Sequence, residues 1–222
     1  MRNVIMAVGM IGCVVALAAQ PASADQITYS LGIANFSGYP APFGSATVTW
    51  NTTTTATIEF DANSTALYQY LFGGTGSVAV NVNATSWSLG TVTGSNPTGF
   101  GPTSYSNGGS GNEDGFGSFN QQIKSGQNAY TDASTKIVFG LTDTSGTWAN
   151  AASVLSPNGS GYVVAAHIYI AGNPASPTDA AFLTGFAVDG GSTSVPDGGS
   201  TVALLGVAML GIGSVRRVFS KK

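Results

Sequence analysis

Few side chains in this chain are equipped for chemistry. The 222 residues include one histidine, His167, and one cysteine, Cys13. His167 lies in an alternating run from Tyr162 to Ile170, with Ala165 and Tyr169 on its own face. A histidine so placed is expected to be structural, hydrogen-bonded to backbone or to a tyrosine hydroxyl. Nucleophilic catalysis needs a base beside its nucleophile, and neither a G-x-S-x-G elbow nor a second histidine is present. A zinc site would have only carboxylates to join the lone imidazole. Glu59 and Asp61 stand two apart and therefore share one strand face, the arrangement of a glycosidase carboxylate pair, though common by chance. Asn112, Glu113 and Asp114, framed by Gly111 and Gly115, are weak calcium candidates. Asp132 and Asp143 are possible further ligands, but the spacing is not that of an EF-hand, and a plain acidic turn is the simpler reading. Trp50, Trp87, Trp148, Tyr68, Tyr70 and Tyr105 offer rings that stack on sugars or pack a core equally well. The expectation is a chain without catalytic residues, metal or cofactor, and not an enzyme.

The elements that would carry these residues are short strands. Ala46, Val48 and Trp50 alternate with threonines; Ala56, Ile58 and Phe60 do the same, followed by Val78-Val80-Val82, Trp87-Leu89, Ile137-Phe139-Leu141 and Tyr162 to Ile170. With segments near 27–33, 116–123 and 181–188, about nine strands are predicted without long helices between them. That pattern means an antiparallel β-sandwich or jelly roll. One stretch departs from it: Trp148, Ala151, Ala152 and Leu155 recur at helical spacing, with Ser145 or Thr147 as cap and Ser156-Pro157-Asn158-Gly159 as stop. This predicts one short helix across a mouth of the sandwich. The tract 94–115 lacks apolar periodicity and is expected to be a surface loop. Thr52 to Thr55 and the sequon Asn51-Thr52-Thr53 suit glycan attachment on a cell surface, a purely compositional reading.

Both ends read as processing signals. Residues 1–24 have the layout of a secretory signal peptide: Arg2, an apolar run from Val4 to Ala19, and Ala22-Ser23-Ala24 before cleavage at Asp25. A lipobox at Met10 to Cys13 is the rival reading. Export implies the Sec machinery and signal peptidase, and the mature chain would have no cysteine, so its fold must rest on its own core. Residues 25–194 carry nine acids against two bases, a net charge of −7. That sign argues against nucleic acid or anionic lipid as partner.

After a domain at 25–189 and a flexible linker at 190–194, the tail 195–222 has three parts. Val195, Pro196, Asp197, Gly198 and Gly199 form a turn-prone motif. Residues 200–215 are uncharged and apolar but a few residues short of a comfortable span. Residues 216–222, with Arg216 and Arg217 as the basic stop, hold that end in the cytoplasm. Motif, short span and basic stop resemble the PEP-CTERM class of exosortase sorting signals, in the VPDSG-CTERM variant with Gly-Gly after Val-Pro-Asp. The resemblance implies cleavage near the motif by an exosortase-like membrane transpeptidase and delivery to the cell surface or extracellular matrix. A permanent tail anchor is the alternative. Asp114 to Ile123, Lys136 to Trp148 and Val163 to Ile170 also resemble an ectodomain that recurs among such proteins and has no assigned activity. The expected role is structural or adhesive; the alternative is a module that binds or cleaves extracellular polysaccharide.

Overall fold

A computed structural model describes residues 25–101, 104–126 and 130–195. The predicted signal peptide with Ala22 and Ala24, and the tail from Pro196 through Gly199 to Arg216 and Arg217, lie outside the described residues, as does the predicted span 200–215. Among the described residues no helix is long and apolar enough to cross a membrane.

The strands are β1 (Asp25–Ala34), β2 (Gly44–Trp50), β3 (Thr55–Ala62), β4 (Tyr68–Phe72), β5 (Gly74–Val80), β6 (Trp87–Ser95), β7 (Tyr105–Glu113), β8 (Gly117–Ser125), β9 (Lys136–Asp143), β10 (Val164–Gly172) and β11 (Leu183–Val195). They form one antiparallel sheet in the order β6-β9-β3-β2-β1-β11-β10-β5-β8-β7, with β4 pairing β10. The all-β antiparallel expectation holds. Instead of two separate sheets, a single sheet curls into a nearly closed barrel, and the inward side chains of its two halves meet in one core.

Alternation explains how. In β2 and β3 the threonines face out while Ala46, Val48, Ala56, Ile58 and Phe60 are buried. Across the interior they share a core with Val78, Val80, Ile123, Val164, Ala166, Ile168 and Ile170. Each such Val, Ile or Phe removed from water stabilises the fold by roughly 1.5 to 3 kcal/mol. Strand β10 is buried on both faces: Ala165 packs with Phe116, Phe119 and Val188, and Tyr169 with Leu71 and Ala133. Its near-continuous apolar sequence suits that double burial.

Strands β4 and β5 run one after the other along β10, pairing Ile168–Gly172 and Val164–Ala166 respectively. The break falls at Gly73-Gly74, where Gly74 has a positive φ of 79°. A side chain at Gly74 would begin 3.0 Å from Nδ1 of His167, so the bend and the absence of a Cβ together admit the imidazole.

Three expectations change. The tract read as a loop contains β7, an edge strand paired with β8 through two register shifts. Its residues are largely exposed on both faces, which erases the apolar period that would mark a strand. Residues 190–194, read as a linker, belong to β11 and pair with β1, Ser192 opposite Tyr29 and Ser194 opposite Ile27. The predicted helix is a single 3-10 turn at Ala151–Ser153, capped by Asn150 in a reciprocal box with Ser153 rather than by Ser145 or Thr147. It cannot lengthen because the sheet claims the backbone around it: Trp148 N–H donates to the Thr53 carbonyl, and Asn83 N–H to the Val154 carbonyl. Ala151 N–H donates to the Asp25 carboxylate at 2.7 Å. The turn closes the end of the barrel where β1 begins and β11 finishes, and inserts Trp148, Ala151, Val154 and Leu155 into the core as a plug.

Candidate functional site

The rim of this plugged end holds a shallow pocket of about 410 Å³, lined by Val82, Asn83, Ala84 and Thr85 from the β5–β6 connection and by Asp143 at the end of β9 with Ser145, Gly146 and Thr147 of the turn that follows. The sequence Asp143-Thr144-Ser145-Gly146 makes a turn about its own aspartate. Oδ1 of Asp143 accepts from Ser145 N–H at 2.9 Å, from Gly146 N–H at 2.8 Å and from the Ser145 hydroxyl at 3.1 Å. These donors, the Ser145 backbone first, hold the carboxyl below its ordinary pKa, so it is ionised at neutral pH.

The two walls are stapled together. Ser86 N–H donates to the Ser145 hydroxyl, the Ser86 and Thr144 hydroxyls meet at 2.7 Å, and Thr144 N–H donates to the Ser86 carbonyl. The Trp148 indole N–H donates to the Asn83 carbonyl at 2.9 Å, and the Asn83 amide donates to the Ser153 carbonyl at 2.9 Å. From the sequence Asp143 is only a further calcium ligand and the pocket is not visible; the signal for it is Asp-x-x-Gly, an Asx-turn signature at the end of a strand.

The other candidates are dispersed. His167 stacks on Phe186 with ring centroids 4.5 Å apart, and its Nε2 lies 2.7 Å from the Thr184 hydroxyl. That hydroxyl also reaches the Ile168 carbonyl at 3.1 Å, and Nδ1 lies buried beside Gly74. Burial pushes the ring's pKa below its usual value and keeps it neutral. The hydroxyl partner is a threonine rather than a tyrosine, the Gly73 backbone acts on the ring in the opposite sense to burial, and among the described residues no carboxylate bonds to it.

Glu59 and Asp61 do share a face of β3, but Lys136 of β9 bridges them at 2.8 Å and 3.1 Å. The ammonium holds Glu59 below the ordinary carboxylate range, while desolvation raises Asp61. The cluster is an ion-paired surface feature with a cation where a glycosidic oxygen would need to sit.

Asn112, Glu113 and Asp114 do not converge. Strand alternation leaves Asn112 and Asp114 exposed and buries Glu113 completely. Oε1 of Glu113 accepts from the Gln122 amide at 2.6 Å, Oε2 has no partner, and a side chain at Gly76 would begin 2.6 Å from Oε1. Burial pushes the carboxyl up to about 8, so it keeps its proton at neutral pH and offers a cation nothing. Among the described residues no three His, Cys, Asp or Glu side chains gather as a metal site.

Nor do the aromatics form a platform. Trp148 and Tyr70 are buried, Tyr70 donating to the Pro40 carbonyl. Trp87 donates to Gln121, and the Tyr105 hydroxyl meets that of Ser134. Trp50 is half-buried. Tyr68, edge-on to Tyr39 and to the exposed Phe182, sits at the far end of the barrel.

At the plugged end β11 finishes with Val195 opposite Gln26. The family model described as the VPDSG-CTERM motif matches residues 194–219. The chain carries this motif. Its first two residues, Ser194 and Val195, are still paired with β1, so the VPDSG-CTERM motif starts where the sheet stops. Comparison with curated proteins and with solved structures found no match.

Proposed function

We propose that this protein is exported, processed at its VPDSG-CTERM motif by an exosortase-like membrane transpeptidase, and delivered to the cell surface or extracellular matrix, where its β-barrel domain has a structural or adhesive, non-enzymatic role. The observation that carries the reading is the motif itself: Val-Pro-Asp-Gly-Gly, an uncharged apolar run and a basic stop, in that order. The signal-peptide layout of residues 1–24 supports export. Its histidine is neutral and packed against Phe186, and its carboxylate pair is bridged by a lysine, which supports a role outside catalysis.

The test is the intact mass of the protein recovered from its native host, with and without residues 195–222. Processed material lacks both the first 24 residues and the apolar run, and the truncated chain fails to reach the surface. Surface material that still contains residues 200–222, or normal delivery of the truncated chain, refutes the proposal.

A further inference from the structure

We propose that the pocket between the β5–β6 connection and the turn after β9 is a binding site for a neutral saccharide, with Asp143, Asn83, Thr85 and Thr147 receiving its hydroxyl groups. This goes beyond the sorting reading and is measurable on the isolated domain.

Asp143 is 94% buried as a residue, its relative exposure being 6%. Its three internal hydrogen bonds all fall on Oδ1. Among the described residues, Oδ2 has no hydrogen-bond partner, nor do Oδ1 of Asn83 or the hydroxyls of Thr85 and Thr147, and all four residues line the same pocket. The bonds on Oδ1 hold the carboxylate in one orientation, while Oδ2 is not one of the buried atoms left without a partner and so stays open to a donor that enters the pocket, beside the exposed Asn83, Thr85 and Thr147.

The wall chemistry selects the ligand. Two bare acceptors beside two hydroxyls match vicinal alcohols, each of which both donates and accepts. A phosphate or carboxylate ligand would meet the charge of Asp143. A hard cation would find one carboxylate oxygen where it needs six to eight oxygens. The pocket's volume accommodates a single sugar residue with its neighbour at the open side.

Preorganisation completes the case. The bonds among Ser86, Thr144 and Ser145, with those of Asn83 to Trp148 and Ser153, hold both walls before any ligand arrives. Little ordering entropy is then left to be lost on binding.

Residues 25–195, within which every strand finds its partners, serve as the material. Amide-resolved NMR titration with the methyl glycosides of glucose, galactose, mannose and N-acetylglucosamine is expected to shift amides at 83–86 and 143–147 with at least one of them. The dissociation constant should be about millimolar, as befits a monosaccharide on a small site. Asp143→Asn keeps an acceptor for the turn but removes the charge and should weaken binding roughly tenfold. Thr85→Val with Thr147→Val, away from the staples, is the second variant and should do the same with an unchanged spectrum elsewhere. No shift at these amides with any of the four glycosides overturns the proposal. So does undiminished binding by the double variant, or a response at these amides to calcium chloride or guanidinium chloride alone.

Discussion

Glu113 is the residue whose behaviour departs furthest from its type. Its folded-state pKa of about 8 lies above the ordinary 4.5, so the folded chain holds this proton more tightly than the unfolded one. Its contribution is therefore fully present below about pH 4.5 and is lost as pH rises towards 8, at a limiting slope of roughly 1.4 kcal/mol per pH unit. Thermal unfolding of Glu113→Gln across this range should show the slope removed and a higher Tm than the parent at pH 8 and above. An unaltered slope would place the group in solvent. The Lys136 bridge makes the opposite case: its three partners are each more than a third exposed, so Lys136→Met should cost no more than about 1 kcal/mol by urea denaturation. The side-by-side placement of Glu59 and Asp61 was legible from their spacing, because a strand's period is two. Their lysine was not, since it comes from β9, 77 positions along the chain from Glu59. The burial of Glu113 was equally hidden: a glutamate between Asn112 and Asp114 looks solvated until Gln122 is brought opposite it.

Among the elements, β2, β3, β9 and β10 could be read directly, because threonine and aliphatic side chains alternate along them without interruption. Strand β7 could not, as glycine, serine and asparagine say nothing about which face is inside. The plug was half legible. Of the residues at helical spacing, Trp148, Ala151 and Leu155 do pack as one apolar group while Ala152 is exposed, and competing hydrogen bonds with Thr53, Asp25 and Asn83 permit one 3-10 turn in place of the helix. Trp148→Ala should cost about 3 to 5 kcal/mol, on the order of 10 °C in Tm for a domain of this size, since the cavity it leaves is walled by strands on several sides. Calorimetry would check it. The end of β11 is the other element with a sharp expectation. A chain ending at Asp189 removes the β11 partners of Gln26 to Tyr29 and should lose protection from hydrogen exchange at the alternate amides there that face β11, those facing β2 keeping theirs, whereas a chain ending at Val195 should not.

At the scale of the whole molecule, address and body are separable. Unfolding of the chain ending at Val195 should match that of the exported protein within about 1 kcal/mol, because the core and the ladders close within residues 25–195. The same truncation should abolish delivery to the surface. The single barrel was less legible than the address: a sorting motif is a contiguous string, while the choice between two sheets and one curled sheet depends on whether β10 and β11 join the halves. That is decided by pairings between residues as far apart as Gln26 and Val195.

Those pairings also bear on load. The strand that leads into the tail is not at the margin of the sheet but is gripped on either side, by β1 and by β10. A protein tethered through its carboxyl end would pull on that strand from the side of the tail. Load would fall first on residues 189–195, held by β1 alone, and then on Leu183–Val188, held by β10, so a protein pulled by this end must slide two staggered interfaces in turn, like a rope passed through one cleat and then another.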